Sequence, residues 1–71
     1  MNTVASTRLA ALPEIREGQR WFLQSKARRP ARVVKEVSLD FVTFEIANGE
    51  QRWCSVTSFQ SWATRWGARV G

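Results

Sequence analysis

Asn48-Gly49 sits between two segments of mixed apolar and polar residues, Phe41 to Ala47 before it and Glu50 to Val56 after it. An Asn-Gly pair flanked in this way is the strongest short hairpin signal. A type I′ turn needs positive φ at both central positions, which these two residues reach at least cost. A two-residue loop then fixes the pairing: Ala47 faces Glu50, Glu45 faces Arg52, Phe44 faces Trp53, Thr43 faces Cys54 and Val42 faces Ser55. Facing residues share a side of the sheet, so Val42, Phe44, Ile46 and Trp53 are expected on the core face. The Glu45/Arg52 pair falls on the outer face, where it contributes well under about 1 kcal/mol. A three-residue loop with a bulge is the competing expectation. It shifts the pairing by one, sets Cys54 opposite Phe44 and Arg52 opposite Ile46, and is disfavoured because it buries an Arg beside an apolar side chain.

The hairpin extends in both directions. Gly18 opens a run, Gln19 to Gln24, in which Trp21 and Leu23 alternate with Arg20, Phe22 and Gln24, the pattern of a first strand. A loop from Ser25 to Pro30 follows. From Ala31 to Leu39 a half-buried strand is expected, with Val33, Val37 and Leu39 on one face and Arg32, Val34, Glu36 and Ser38 on the other. Asp40 marks a tight turn. After Val56, Thr57 or Ser58 can cap a short helix whose Phe59, Trp62 and Trp66 recur at three- and four-residue spacing, and Gly67 stands where a helix-ending glycine belongs. Residues 68–71 are either a frayed tail or a short last strand. Residues 1–12 lack a clear period and Pro13 stops any helix begun within them, which predicts a flexible arm ahead of a single domain over 13–71.

Four consecutive antiparallel strands, a late short helix and room for a fifth strand predict a mainly β fold, a small bent sheet or barrel. Here the chain resembles the SH3-like small-barrel proteins carried by phages and mobile elements. The residues behind the likeness are Gly18-Gln19-Arg20-Trp21, the strands Ala31 to Ser38 and Phe41 to Ala47, and the closing segment Val56 to Trp62 with Phe59. The likeness covers roughly residues 17–66 and implies a fold, because that fold hosts nucleic-acid binders, protein adaptors and a small reductase. The reductase function does not carry over. The small plasmid-borne dihydrofolate reductases rely on a Val-Gln-Ile-Tyr strand motif, whereas this chain has no Tyr and its nearest stretch reads Gln51-Arg52-Trp53-Cys54.

Composition narrows the chemistry. With 71 residues the chain holds one core, small enough that dimerisation or docking would help it, which leaves room for a homodimer. Hydrophobic residues make up 44%, including four Trp and four Phe, enough apolar material to fold. Cys54 is the single cysteine and there is no His, so neither a disulfide nor a Cys/His metal site is expected. No apolar run nears the roughly 20 residues of a membrane span, and a reducing, cytoplasmic setting fits best. Without His a nucleophile lacks its usual base, the carboxylates are scattered, and Gly18, Gly49, Gly67 and Gly71 are too far apart for a phosphate loop. A non-enzymatic protein with no cofactor and no metal is the expectation. Cys54 reads as a small strand residue, since no neighbouring charge or helix start predicts a lowered pKa.

Eleven Lys and Arg against six Asp and Glu leave a net charge of +5, and polyanions become plausible partners. Lys26, Arg28, Arg29, Arg32 and Lys35 form a run without an acid, and an Arg-rich loop on a rigid sheet can reach successive phosphates. The plainer account of the run is a solvated loop that aids solubility. Arg65, Trp66 and Arg69 form a second candidate edge, with Trp66 as a stacking surface for a base. Trp21, Trp53 and Trp62 are read as core and packing residues instead. Two functions follow. One is binding of DNA or RNA through these positive residues, without any base-reading motif. The other is regulation of a host nucleic-acid machine such as RNA polymerase, by a phage-type protein docking through its sheet edge or through Val4, Arg8, Leu9 and Leu12 of the arm.

Overall fold

Phe59 is fully buried, and the fold is arranged around it. Its ring meets Trp21 edge to face at 5.4 Å, Phe44 at 5.6 Å and Trp62 at 5.3 Å, so one helix residue ties two strands to its own helix. The computed structural model describes residues 13–26 and 28–71. Five strands, β1 (Arg20–Phe22), β2 (Arg32–Val37), β3 (Phe41–Ile46), β4 (Gln51–Ser55) and β5 (Arg69–Val70), form one antiparallel sheet in the order β4-β3-β2-β1-β5. A single helix among the described residues, α1 (Val56–Trp66), lies between β4 and β5. The sheet is mainly a meander whose last strand returns to pair with the first, and it is not closed between β4 and β5.

Two of the core strands follow the expected alternation only in part. Val34 and Val42 are fully buried and Phe44 nearly so, while Ile46 is half-buried. In β2 the expected faces are reversed at first, because Val34 points inward rather than Val33. A bulge between Val34 and Glu36 leaves Lys35 unpaired and brings Val37 opposite Val42, so the inward positions run Arg32, Val34 and then Val37. Leu39 was expected beside them; it is 96% exposed at the turn, where Ser38 bonds Phe41 through both backbone and hydroxyl.

The hairpin register also differs from the expectation. The loop holds three residues, Ala47-Asn48-Gly49, closed by Gly49 N–H to the Ile46 carbonyl at 2.9 Å and by Ile46 N–H to the Glu50 carbonyl at 2.9 Å. Gly49 alone in this loop takes positive φ, +90°, the arrangement of a turn followed by a glycine bulge. Phe44 therefore faces Arg52, Thr43 faces Trp53 and Val42 faces Cys54, one step from the two-residue register and in the opposite direction from the three-residue alternative. Trp53 consequently leaves the core face and is 68% exposed. The Glu45/Arg52 pair does not form; Arg52 binds Glu50 at 2.8 Å and Glu45 stands opposite Gln51.

The helix starts earlier than expected, with Ser55 as its cap: the Ser55 hydroxyl accepts the Ser58 N–H at 3.0 Å. Gly67 ends it at φ +63°, and the next residue, Ala68, donates to Ala63 and is buried, which turns the chain into β5. On the far side, Gln19 joins the segment before β1 to the sheet. Its side chain accepts from Arg16 N–H and the Trp21 indole N–H and donates to the Glu14 carbonyl, and Ile15 is buried beneath.

Candidate functional site

The positive run Lys26 to Lys35 divides into three environments. Leu23 to Lys26 forms a tight turn, with Lys26 N–H bonded to the Leu23 carbonyl at 3.1 Å. Ala31 N–H then bonds the Trp21 carbonyl at 2.8 Å, so the loop is pinned at both feet. Between these points Arg28 and Arg29 are exposed, and with Lys26 they border a hollow of about 640 Å³. Its floor is aliphatic, made by Leu23, Pro30, Ala31 and Ile46, and Asn48 closes it from the β3–β4 turn. The Asn48 side-chain oxygen accepts the Glu50 N–H at 2.8 Å, and the amide nitrogen of this lining residue has no hydrogen-bond acceptor among the described residues. The ion pairs among the described residues are Arg16 with Glu14 and Arg52 with Glu50, so the three rim cations have no carboxylate partner there.

Arg32 does not join that rim. It is the inward residue of β2 opposite Trp21 and Ile46, and its guanidinium lies over Trp62 at 3.9 Å, Phe44 at 4.2 Å and Phe59 at 5.1 Å. Its stem and charge thus fill the space between sheet and helix. One guanidinium nitrogen, Nη1, is buried without a hydrogen-bond partner. Burial is the main cause that lowers the Arg32 pKa; Cys54 acts against it and Arg52 with it. Across the same face, burial raises the Cys54 thiol, and Arg32 pulls the other way. Burial prevails for both residues, so Cys54 is a protonated thiol at neutral pH beside a cation held by aromatic rings. Lys35 is exposed on the β2 bulge and does not border the hollow.

The second expected edge divides as well. Arg65 and Trp66, in the last turn of α1, border a shallow depression of about 280 Å³ that runs along the helix past Thr57, Ser58, Ser61 and Trp62, and Trp66 is 58% exposed. Arg69 lies on β5 in a different depression, with Pro13, Gln24 and Gly67. Val4, Arg8, Leu9 and Leu12 lie outside the described residues. Two features were not legible as site residues: Asn48, read only as a turn former, and the outer-face groove of about 420 Å³ made by Phe41, Trp53, Thr43, Ser38 and Glu36. That groove follows from the register, which turned Trp53 outward to meet Phe41 at 5.2 Å and 81°. Among the described residues no three His, Cys, Asp or Glu cluster as metal ligands would, and no helix is long and apolar enough to cross a membrane.

No protein-family model, no curated protein and no solved structure matches this chain significantly.

Proposed function

We propose that this chain is a non-enzymatic nucleic-acid-binding protein that seats a single-stranded segment on the hollow bordered by Lys26, Arg28 and Arg29. One observation carries the reading: three cations without a carboxylate partner among the described residues stand around an aliphatic floor, with an amide donor at the edge. Phosphates suit the rim, where each contact releases counterions. The floor of Leu23, Pro30 and Ile46 suits the flat apolar face of an unpaired base, and the Asn48 amide suits a base-edge or sugar oxygen. The floor contains no aromatic ring, so affinity rests on charge more than on stacking, and duplex DNA, whose bases are paired, binds less well. The proposed kinship with SH3-like small barrels of phages rests on the strand order, in which β5 returns to β1 beside a meander, although the sheet stays open. A cytoplasmic setting belongs to the same proposal.

The test is a titration of the protein with short single-stranded and duplex DNA and RNA at two salt concentrations. With three phosphates engaged on a single strand, a fourfold rise in salt weakens binding by about 20-fold. The variant carrying Lys26→Ala, Arg28→Ala and Arg29→Ala loses that binding while its melting temperature stays in place, since all three side chains are exposed. Unchanged affinity in the triple variant would refute the site. A second reading, docking on a protein such as a host RNA polymerase to regulate transcription, is supported by β4, an edge of the sheet. It predicts capture of the polymerase by the protein without nucleic acid present.

A further inference from the structure

We infer that two copies of this chain associate through β4, edge to edge and antiparallel, about a two-fold axis at Trp53. The argument begins with which backbone groups of β4 are already used. Ile46 N–H bonds the Glu50 carbonyl and Val56 N–H bonds the Asp40 carbonyl, both at 2.9 Å, so positions 50 and 56 turn their backbone groups toward β3. An antiparallel ladder alternates, which assigns Arg52 and Cys54 to the same side and leaves Gln51, Trp53 and Ser55 with groups directed away from the sheet. Since β4 lies at the edge, those groups have no strand partner among the described residues.

Water can satisfy these groups one at a time, whereas a strand in matching phase engages the whole row at once. In the register centred on Trp53, the two copies' Trp53 residues exchange two bonds, and each Ser55 N–H donates to the other copy's Gln51 carbonyl. The Ser55 carbonyl is left to begin α1. On the outer face the two Trp53 rings become direct cross-strand neighbours, extending each Phe41–Trp53 contact of 5.2 Å into one aromatic row. On the inner face Arg52 stands opposite Cys54, and each Arg52 brings its own counter-ion, Glu50 at 2.8 Å. The adjacent register, Gln51 opposite Trp53, would set Arg52 directly against Arg52 and is disfavoured. The edge is free of Pro, Lys and bulges; its one charged residue, Arg52, already holds Glu50 as a counter-ion, and its middle residue is a Trp that is 68% exposed. A second copy is therefore the occupant that this edge fits in both hydrogen-bond phase and charge.

The association is independent of the nucleic-acid reading and responds oppositely to salt. Each copy carries +5, so added salt screens the repulsion between copies and tightens the pair, whereas it weakens contacts with phosphates. Sedimentation of the full chain without nucleic acid, from micromolar to near-millimolar concentration and at two salt concentrations, should show a monomer–dimer equilibrium that shifts to dimer with salt. Trp53→Lys, a charge on an exposed edge position, should leave the circular dichroism spectrum intact and the protein monomeric. Amide exchange gives a readout that needs no variant. The Trp53 N–H should become protected only at concentrations where dimer is present, while the Arg52 and Cys54 N–H groups, bonded to β3, stay protected throughout. A monomer at every concentration, a dimer that survives Trp53→Lys, or a Trp53 amide that exchanges fast in the dimer would each overturn the inference.

Discussion

Arg29 and Arg32 are close in the chain and occupy opposite environments. Arg29 is exposed on a loop beside an aliphatic hollow, whereas Arg32 lies under the rings of Trp62, Phe44 and Phe59 with one nitrogen buried and unpartnered. The difference comes from where β2 begins. Up to Pro30 the chain is loop and its side chains follow solvent. From Arg32 the pairing with Trp21 and Ile46 imposes an alternation, and Arg32 takes the inward phase along with Val34. A run of positive residues in a sequence is thus not yet a positive patch; strand phase sorts its members into exposed positions and a half-buried, inward-facing one.

The largest effect expected on stability comes from the inward member. Arg32→Ala removes the guanidinium from three rings and empties the space its stem fills, and should destabilise the fold by about 2 kcal/mol. For a domain this small that lowers the melting temperature by roughly 8–16 °C. Arg32→Met keeps the length, packs against the same rings and removes the unpartnered nitrogen, so its stability should stay within about 1 kcal/mol of the parent. Thermal unfolding of both variants beside the Lys26/Arg28/Arg29 triple variant makes the contrast measurable. The comparison breaks if Arg32→Ala melts normally and instead loses nucleic-acid affinity as the loop variant does.

Strand phase also explains what the sequence made legible. Trp21, Val42, Phe44 and Phe59 are buried as their alternation and helical spacing indicate, and Gly67 closes the helix as expected. The errors in phase arise where one residue is inserted. The bulge at Lys35 combines an inward Val34 with an inward Val37, which no single period of two describes. At Asn48-Gly49 the same dipeptide serves a two-residue turn with two positive φ values and a three-residue turn with one, and local sequence does not separate them. The observed register allows Ser55 to cap α1 and leaves Arg52 to Glu50, both consequences that lie outside the turn itself. The exposure of Lys26, Arg28 and Arg29 was legible because loop charge needs no register. Asn48 in the hollow and the groove beside Trp53 depended on it, and so were not.

A smaller effect is expected at the turn, which touches both regions: Asn48 closes the hollow, and the register that Gly49 permits sets Phe44, beneath Arg32, opposite Arg52. A methyl group added at Gly49 meets nothing within 4 Å, so the cost of Gly49→Ala is that of holding φ at +90°. That should amount to about 1 kcal/mol, with Gly49→Asn costing less because Asn tolerates positive φ better. Denaturant unfolding orders the three proteins. If Gly49→Ala instead stabilises the chain, the three-residue turn is wrong, and the outward position of Trp53 falls with it.

The smallest effect separates the two kinds of Arg electrostatically. Cys54 shares the inner face with Arg32, its thiol raised by burial and pulled back by the guanidinium, while the rim cations are not among the groups that shift it. Arg32→Met removes the pull, so the thiol should rise further and its alkylation near pH 8 should slow by a few fold; the rim triple variant should alkylate at the parent rate. The same shift has a sign in stability. A thiol whose folded pKa lies above its unfolded value of about 8.5 favours folding fully below that pH, and the contribution is lost as pH rises through the folded pKa. Melting temperatures should therefore decline over this alkaline range in the parent, decline at least as much in Arg32→Met, and lose this component in Cys54→Ser. An alkylation rate that drops in the rim variant but not in Arg32→Met would place the influential charge at the hollow instead of under the rings.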